Sequence, residues 1–148
     1  MDVIMASDVT VIDLQQNIAI DTRALRDFSR LLRSAVDEVA GRTWSVAIVP
    51  DERIKEMNNL FRGRDSITDV LSFPYAADEF DPDKNNLGDI VIAAEQAERQ
   101  AIANGLELDL EIRQLVLHGL LHLCGYDHET DEGEMNTREL ELREQVGI

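Results

Sequence analysis

At 148 residues, with 44% hydrophobic side chains, the chain has the size of one domain with an ordinary buried core. Its formal charge of −16 argues against loose, nonspecific adhesion to nucleic acid, which rests on phosphate neutralisation by Lys and Arg. The first eight residues carry no basic segment leading into an apolar one, no later stretch approaches the ~18 apolar residues of a membrane span, and the single Cys124 has no internal disulfide partner, so a soluble, unexported, cytoplasmic protein is expected.

In chain order, residues 9–14 form the first apolar run of strand type. Asp21 is placed to cap a helix running to about residue 40, with Leu25, Phe28, Leu32, Ala35 and Val39 on one face and Gly41 past its end. Arg23, Arg26, Arg30 and Arg33 recur on that helix at a spacing that reads as a solvated face. Residues 44–49 read as a second strand, and Asp51 as the cap of a short helix containing Ile54, Met57, Leu60 and Phe61. A third strand covers residues 70–73. Residues 76–87, rich in Asp and Asn with Pro82, read as a loop, and Gly88-Asp89 as a turn into a fourth strand over residues 90–93. Helices follow over residues 95–103, 108–123 and 131–146, with no internal repeat or linker. The expected fold is α/β of the α+β type: one domain over residues 1–148, with a small, mostly four-stranded mixed sheet packed against about five helices.

Charge is uneven along this chain. Residues 1–74 hold 9 basic and 12 acidic side chains, and residues 75–148 hold 5 and 18. A polyanion would therefore meet the first half, where Arg62 and Arg64 lie close together. The second half contains all three histidines, His118, His122 and His128, within eleven residues. On a helix, His118 and His122 are a little over one turn and about 6 Å apart along the axis, so both imidazoles leave the same face. Gly125 suits a left-handed helix end that turns the chain and returns His128 toward them. Three neutral imidazoles suit one divalent ion, with zinc (Zn2+) expected, although nickel, iron and copper also accept imidazole. Three protein ligands leave a fourth position open, the mark of a catalytic site, and zinc lowers the pKa of bound water to about 7. Cys124, on another helical face, reads as a small buried hydrophobe. Asp127 and Glu129 flank His128, where either could orient an imidazole, and read first as capping or surface carboxylates.

The run from His118 to His128 resembles the zincin signature, but Gly119 stands where zincin peptidases carry the glutamate that acts as general base. A peptidase is therefore the second choice. The whole string is instead similar to the signature of the YbeY family of bacterial endoribonucleases. The likeness extends through Asn58-Asn59-Leu60-Phe61-Arg62-Gly63-Arg64-Asp65, Thr68-Asp69-Val70-Leu71-Ser72-Phe73-Pro74 and Leu87-Gly88-Asp89-Ile90-Val91-Ile92, and downstream to Met135. Together these blocks span about residues 44–136. Ile67 stands where that family often has proline, and Met57 where leucine is usual.

The resemblance implies a single-domain fold around a small sheet, a zincin-like metal site made by the three histidines, and cleavage of single-stranded RNA. It places that cleavage in rRNA processing, including 16S rRNA 3′-end maturation, and in ribosome quality control. It also implies that Arg62 is important for activity. Independently, a guanidinium fork pairs with two phosphate oxygens and stabilises charge that grows in a transition state. Asp69 and Ser72 lie on a strand able to border the cleft. The expected partners are RNA and the small ribosomal subunit or its assembly factors, with neither DNA nor membrane. The acidic charge implies weak binding of RNA by the isolated chain. A third possibility is a noncatalytic, metal-stabilised ribosome-binding module.

Overall fold

The computed structural model describes residues 8–148; residues 1–7, within the segment read above as free of an export signal, lie outside the described residues. Four strands, β1 (Thr10–Asp13), β2 (Thr43–Val49), β3 (Val70–Pro74) and β4 (Asn86–Ala93), form one sheet in the order β1-β2-β4-β3. β1, β2 and β4 are parallel, with Val46 opposite Val11 and Ile90, while β3 pairs antiparallel with β4 and leaves one edge free. The mixed sheet and five helices match the expected class.

Alternation along β2 and β4 decides what each face covers. Trp44, Val46, Ile48, Ile90 and Ile92 join the main core with α1 (Thr22–Ala35), α4 (Leu108–Leu123) and α5 (Glu134–Val146). Ala47, Val49, Val91 and Ala93 face the other way, onto Ile54 and Met57 of α2 (Asp51–Arg62). Coverage of both faces explains why these strands read as continuous apolar runs. Among the described residues, no helix is long and apolar enough to cross a membrane.

Several boundaries differ from the sequence reading. α1 ends at Ala35 because Val36 is extended, and a 3-10 turn (Asp37–Val39) then carries Val36 and Val39 into the core. Of the arginine row on α1, Arg30 pairs with Asp8 at 2.6 Å and Arg33 donates to the Gly41 carbonyl, so part of that face braces the chain. Pro50, rather than Asp51, is the cap position of α2. The Asp51 carboxylate instead accepts from the Gln96 amide at the start of α3 (Ala94–Asn104), while the Glu95 carboxylate accepts from the Asp51 amide. Each helix thus caps the other. Gly88-Asp89 is part of β4 and not a turn before it. Gly88 has φ of 132°, and a Cβ there would collide with the Phe73 carbonyl, so glycine lets β3 and β4 pair two residues earlier than apolar patterning shows. α5 starts at Glu134, and Asp131 accepts from the Gly133 and Met135 amides ahead of it.

Candidate metal centre

α4 is held centrally by Val116, Leu117, Leu120 and Leu121, all fully buried. Gly119 faces the sheet: a Cβ there would lie 2.8 Å from Ile90 Cγ2 and 3.1 Å from Ser72 Oγ. The Ser72 hydroxyl donates to the Gly119 carbonyl at 3.0 Å. The helix backbone therefore rests directly on β3 and β4, and a glutamate at this position has no room. His118 and His122, on the remaining stripe, are half-buried.

Beyond Leu123 the helix ends as the sequence suggests. Gly125 has φ of 104°, its amide donates to the His122 carbonyl, and the Tyr126 amide donates to that of Leu121, the paired bonds of a Schellman motif. The reversal is anchored from a distance, since the Tyr126 hydroxyl donates to Glu38 at 2.7 Å and Arg138 donates twice to the same carboxylate. These bonds hold the Glu38 carboxyl at about 2, Arg138 contributing most.

The turn brings exposed His128 over the other two rings, with centroid separations of 4.9 to 5.3 Å. One ring nitrogen from each histidine lies within 4.8 Å of the other two. His122 Nε2 and His128 Nδ1 are 3.2 Å apart, close to the roughly 3.3 Å between tetrahedral ligands with Zn–N bonds of 2.0–2.1 Å. The cluster can therefore hold a metal ion after a small contraction, with exposed His128 freest to move.

Two further bonds fix which nitrogens face the cleft. The Tyr126 carbonyl can only accept, so His122 Nδ1 donates to it at 2.9 Å and Nε2 keeps its lone pair. The Glu139 carboxylate likewise accepts from His118 Nδ1 at 2.7 Å. Burial and the neighbouring His118 lower the His122 pKa, favouring the neutral form that a metal requires. Burial pushes the Glu139 carboxyl up, but the His118 hydrogen bond and the charges of His118 and Arg143 reverse the effect, leaving it below the usual range. Arg143 donates to Glu139 Oε2 at 2.5 Å.

The histidines open into a cleft of about 390 Å3, where Arg62, Arg64, Thr68, Asp69 and Ser72 also contribute walls. Arg62, in the last turn of α2, lies 4.0 Å from Glu129, both side chains exposed. Asp69 accepts from Gln100, and Ser72 is tied to Gly119. Neither carboxylate flanking His128 orients an imidazole: Asp127 accepts from the Glu129 amide, and Glu129 faces Arg62. The orienting groups are Glu139 and the Tyr126 carbonyl, both missed in the sequence. Cys124 is half-buried against the core, its thiol pushed by burial to about 11, and lies outside the ligand set.

A family model described as Endoribonuclease YbeY matches residues 10–147. The chain belongs to the YbeY family. Endoribonuclease YbeY of Nautilia profundicola is 50% identical over 101 residues, covering 68% of this chain and 70% of that one. The Sulfurovum protein of the same name is 38% identical over 143 residues, 94% of this chain and 92% of its own. That of Helicobacter pylori strain 26695 is 41% identical over 127 residues, 84% and 88%. The solution structure of TM1509 from Thermotoga maritima is similar with a TM-score of 0.63 and 30% identity, covering 93% of this chain and 89% of that one. The YbeY match extends to both ends of the sheet-and-helix unit, beyond the blocks legible in the sequence, and sets the protein among hydrolytic nucleases.

Proposed function

We propose that residues 1–148 are one metal-dependent endoribonuclease domain, specific for single-stranded RNA, in which His118, His122 and His128 hold one divalent ion, zinc. The convergence of three imidazoles with Arg62 on one cleft carries this reading, in a chain of the YbeY family. Held by these three histidines, such an ion would supply Lewis acidity toward a phosphate or water oxygen. Glu139 and the Tyr126 carbonyl keep His118 and His122 in the tautomer that presents Nε2. Arg62 pairs with the scissile phosphate and stabilises charge accumulating on its oxygens. Because Gly119 leaves no room for a zincin glutamate, proton transfer falls to another group or to the RNA, which favours phosphodiester over peptide cleavage.

In this reading the substrate is rRNA, cut in the cytoplasm during 16S rRNA 3′-end maturation and ribosome quality control, and membership of the YbeY family supports it. The net charge of −16 makes a ribosomal or assembly partner the means of delivery, since long-range attraction to RNA is absent. Purified, zinc-loaded wild type should cut unstructured RNA, whereas Arg62→Glu and His122→Ala should each lose at least about 100-fold in rate, the scale of removing a charge-stabilising donor. Undiminished activity in both variants would refute the site. A cyclic phosphate product end would identify the RNA 2′-hydroxyl as nucleophile, and a 5′-phosphate opposite a free 3′-hydroxyl would identify water.

A further inference from the structure

Of the four phenylalanines, Phe28 is buried in the main core and Phe73 is half-buried on β3, but Phe61 is 62% exposed and Phe80 87%. Phe61 immediately precedes Arg62 in the last turn of α2. Its ring meets Phe73 edge-on, with centroids 5.2 Å apart and planes at 68°, which holds it in place while leaving most of it open to solvent. Alternation on β3 sets Val70 and Ser72 on the cleft side and Leu71 and Phe73 on the other. The aromatic pair and the cleft therefore lie on opposite faces of the edge strand β3. Arg62 and Arg64 stand in the cleft wall at that edge, and Arg64 makes no ion pair among the described residues.

We propose that Phe61, steadied by Phe73, is a stacking site for one unpaired RNA base, on the nucleotide adjoining the phosphate held by Arg62. The proposal rests on the endoribonuclease reading given above. Base-on-aromatic stacking tolerates any sequence because every base has a π-face, and it requires a base released from pairing. In an acidic chain such a contact supplies affinity that electrostatics does not. It also gives a physical reason for a single-strand preference, since a base stacked inside a duplex cannot reach Phe61. The two arginines in the cleft wall at the same edge of the sheet favour a polyanionic occupant.

The test uses the full, zinc-loaded chain and an unstructured RNA oligomer of mapped cut position, with each base in turn replaced by an abasic residue. Phe61→Ala should raise KM about tenfold with kcat changed less than threefold, and Phe61→Trp and Phe61→Tyr should restore it. One abasic position should cost the wild type a similar factor while costing Phe61→Ala nothing more, the signature of coupled groups. The salt dependence of KM should be unchanged, because no phosphate contact is lost. An unaltered KM in Phe61→Ala, or abasic losses that simply add to it, would overturn stacking and leave the patch to a protein partner. If the wild type cuts no RNA, the functional reading fails separately. Fluorescence of 2-aminopurine in the same oligomer then decides: quenching that disappears in Phe61→Ala supports the site, and its absence in the wild type refutes it.

Discussion

Glu139→Gln tests the support of the histidine cluster while leaving every candidate ligand in place. Glu139 is only 7% exposed and takes two charge-assisted bonds, from His118 Nδ1 at 2.7 Å and from Arg143 at 2.5 Å. A glutamine of the same shape offers one acceptor oxygen. Its NH2 must then face either an N–H of His118 or the Arg143 guanidinium, and one bond is lost. Loss of the His118 bond frees the ring to rotate, which costs about 10- to 100-fold in metal affinity. Loss of the Arg143 bond costs roughly 1.5–3 kcal/mol of folding stability. Zinc competition against a chromophoric chelator measures the first effect, and denaturant unfolding of the metal-free protein measures the second. Glu139→Ala removes both acceptors, and a zinc affinity within twofold of wild type in that variant would refute the orienting role, whatever the change in stability.

Gly119→Ala sets a gain in helix propensity of about 1 kcal/mol against a contact of 2.8 Å with the fully buried Ile90. Overpacking costs about 1–3 kcal/mol, so chemical denaturation should show net destabilisation of up to about 2 kcal/mol. Glu38 is lowered from 4.5 to about 2, so its contribution is present above pH 4.5 and is lost as pH falls toward 2. With the side chain about a quarter exposed, screening leaves roughly 1–2 kcal/mol. Glu38→Gln should therefore narrow its stability gap to wild type over that acid range in pH-dependent urea melts. Chelation should lower Tm, and excess zinc at about 100 times Kd should restore roughly 2.7 kcal/mol, read by calorimetry; His122→Ala should respond to neither treatment.

The parts of the fold governed by local patterning were legible. β2, β4 and α4 are apolar at spacings set by burial, and the Gly125 reversal follows from a glycine after a helix of that pattern. Contacts between distant segments were not. Asp51 has the residue type of a helix cap, and only the fold shows that it caps α3 instead of α2. Gly88 has the composition of a turn, and its place inside β4 is fixed by Phe73 on the neighbouring strand. Glu139 lies 21 residues from His118 in sequence. Its only local signal is the four-residue spacing to Arg143, on the helix that buries Met135 and Leu142. Asp127 and Glu129, closer in sequence to His128, were for that reason the more visible orienting candidates.

The exchanged caps of α2 and α3 make α2 a lever. Its pivot is the Asp51–Glu95 corner, where both helices leave the sheet, and its tip is Arg62. Twelve residues span about 18 Å, so a tilt of five degrees at the pivot moves the tip by about 1.5 Å. A displacement of about 1 Å in a reacting group is enough to cost on the order of 100-fold in rate. Two carboxylates remote from the cleft therefore bear on where Arg62 stands in its wall.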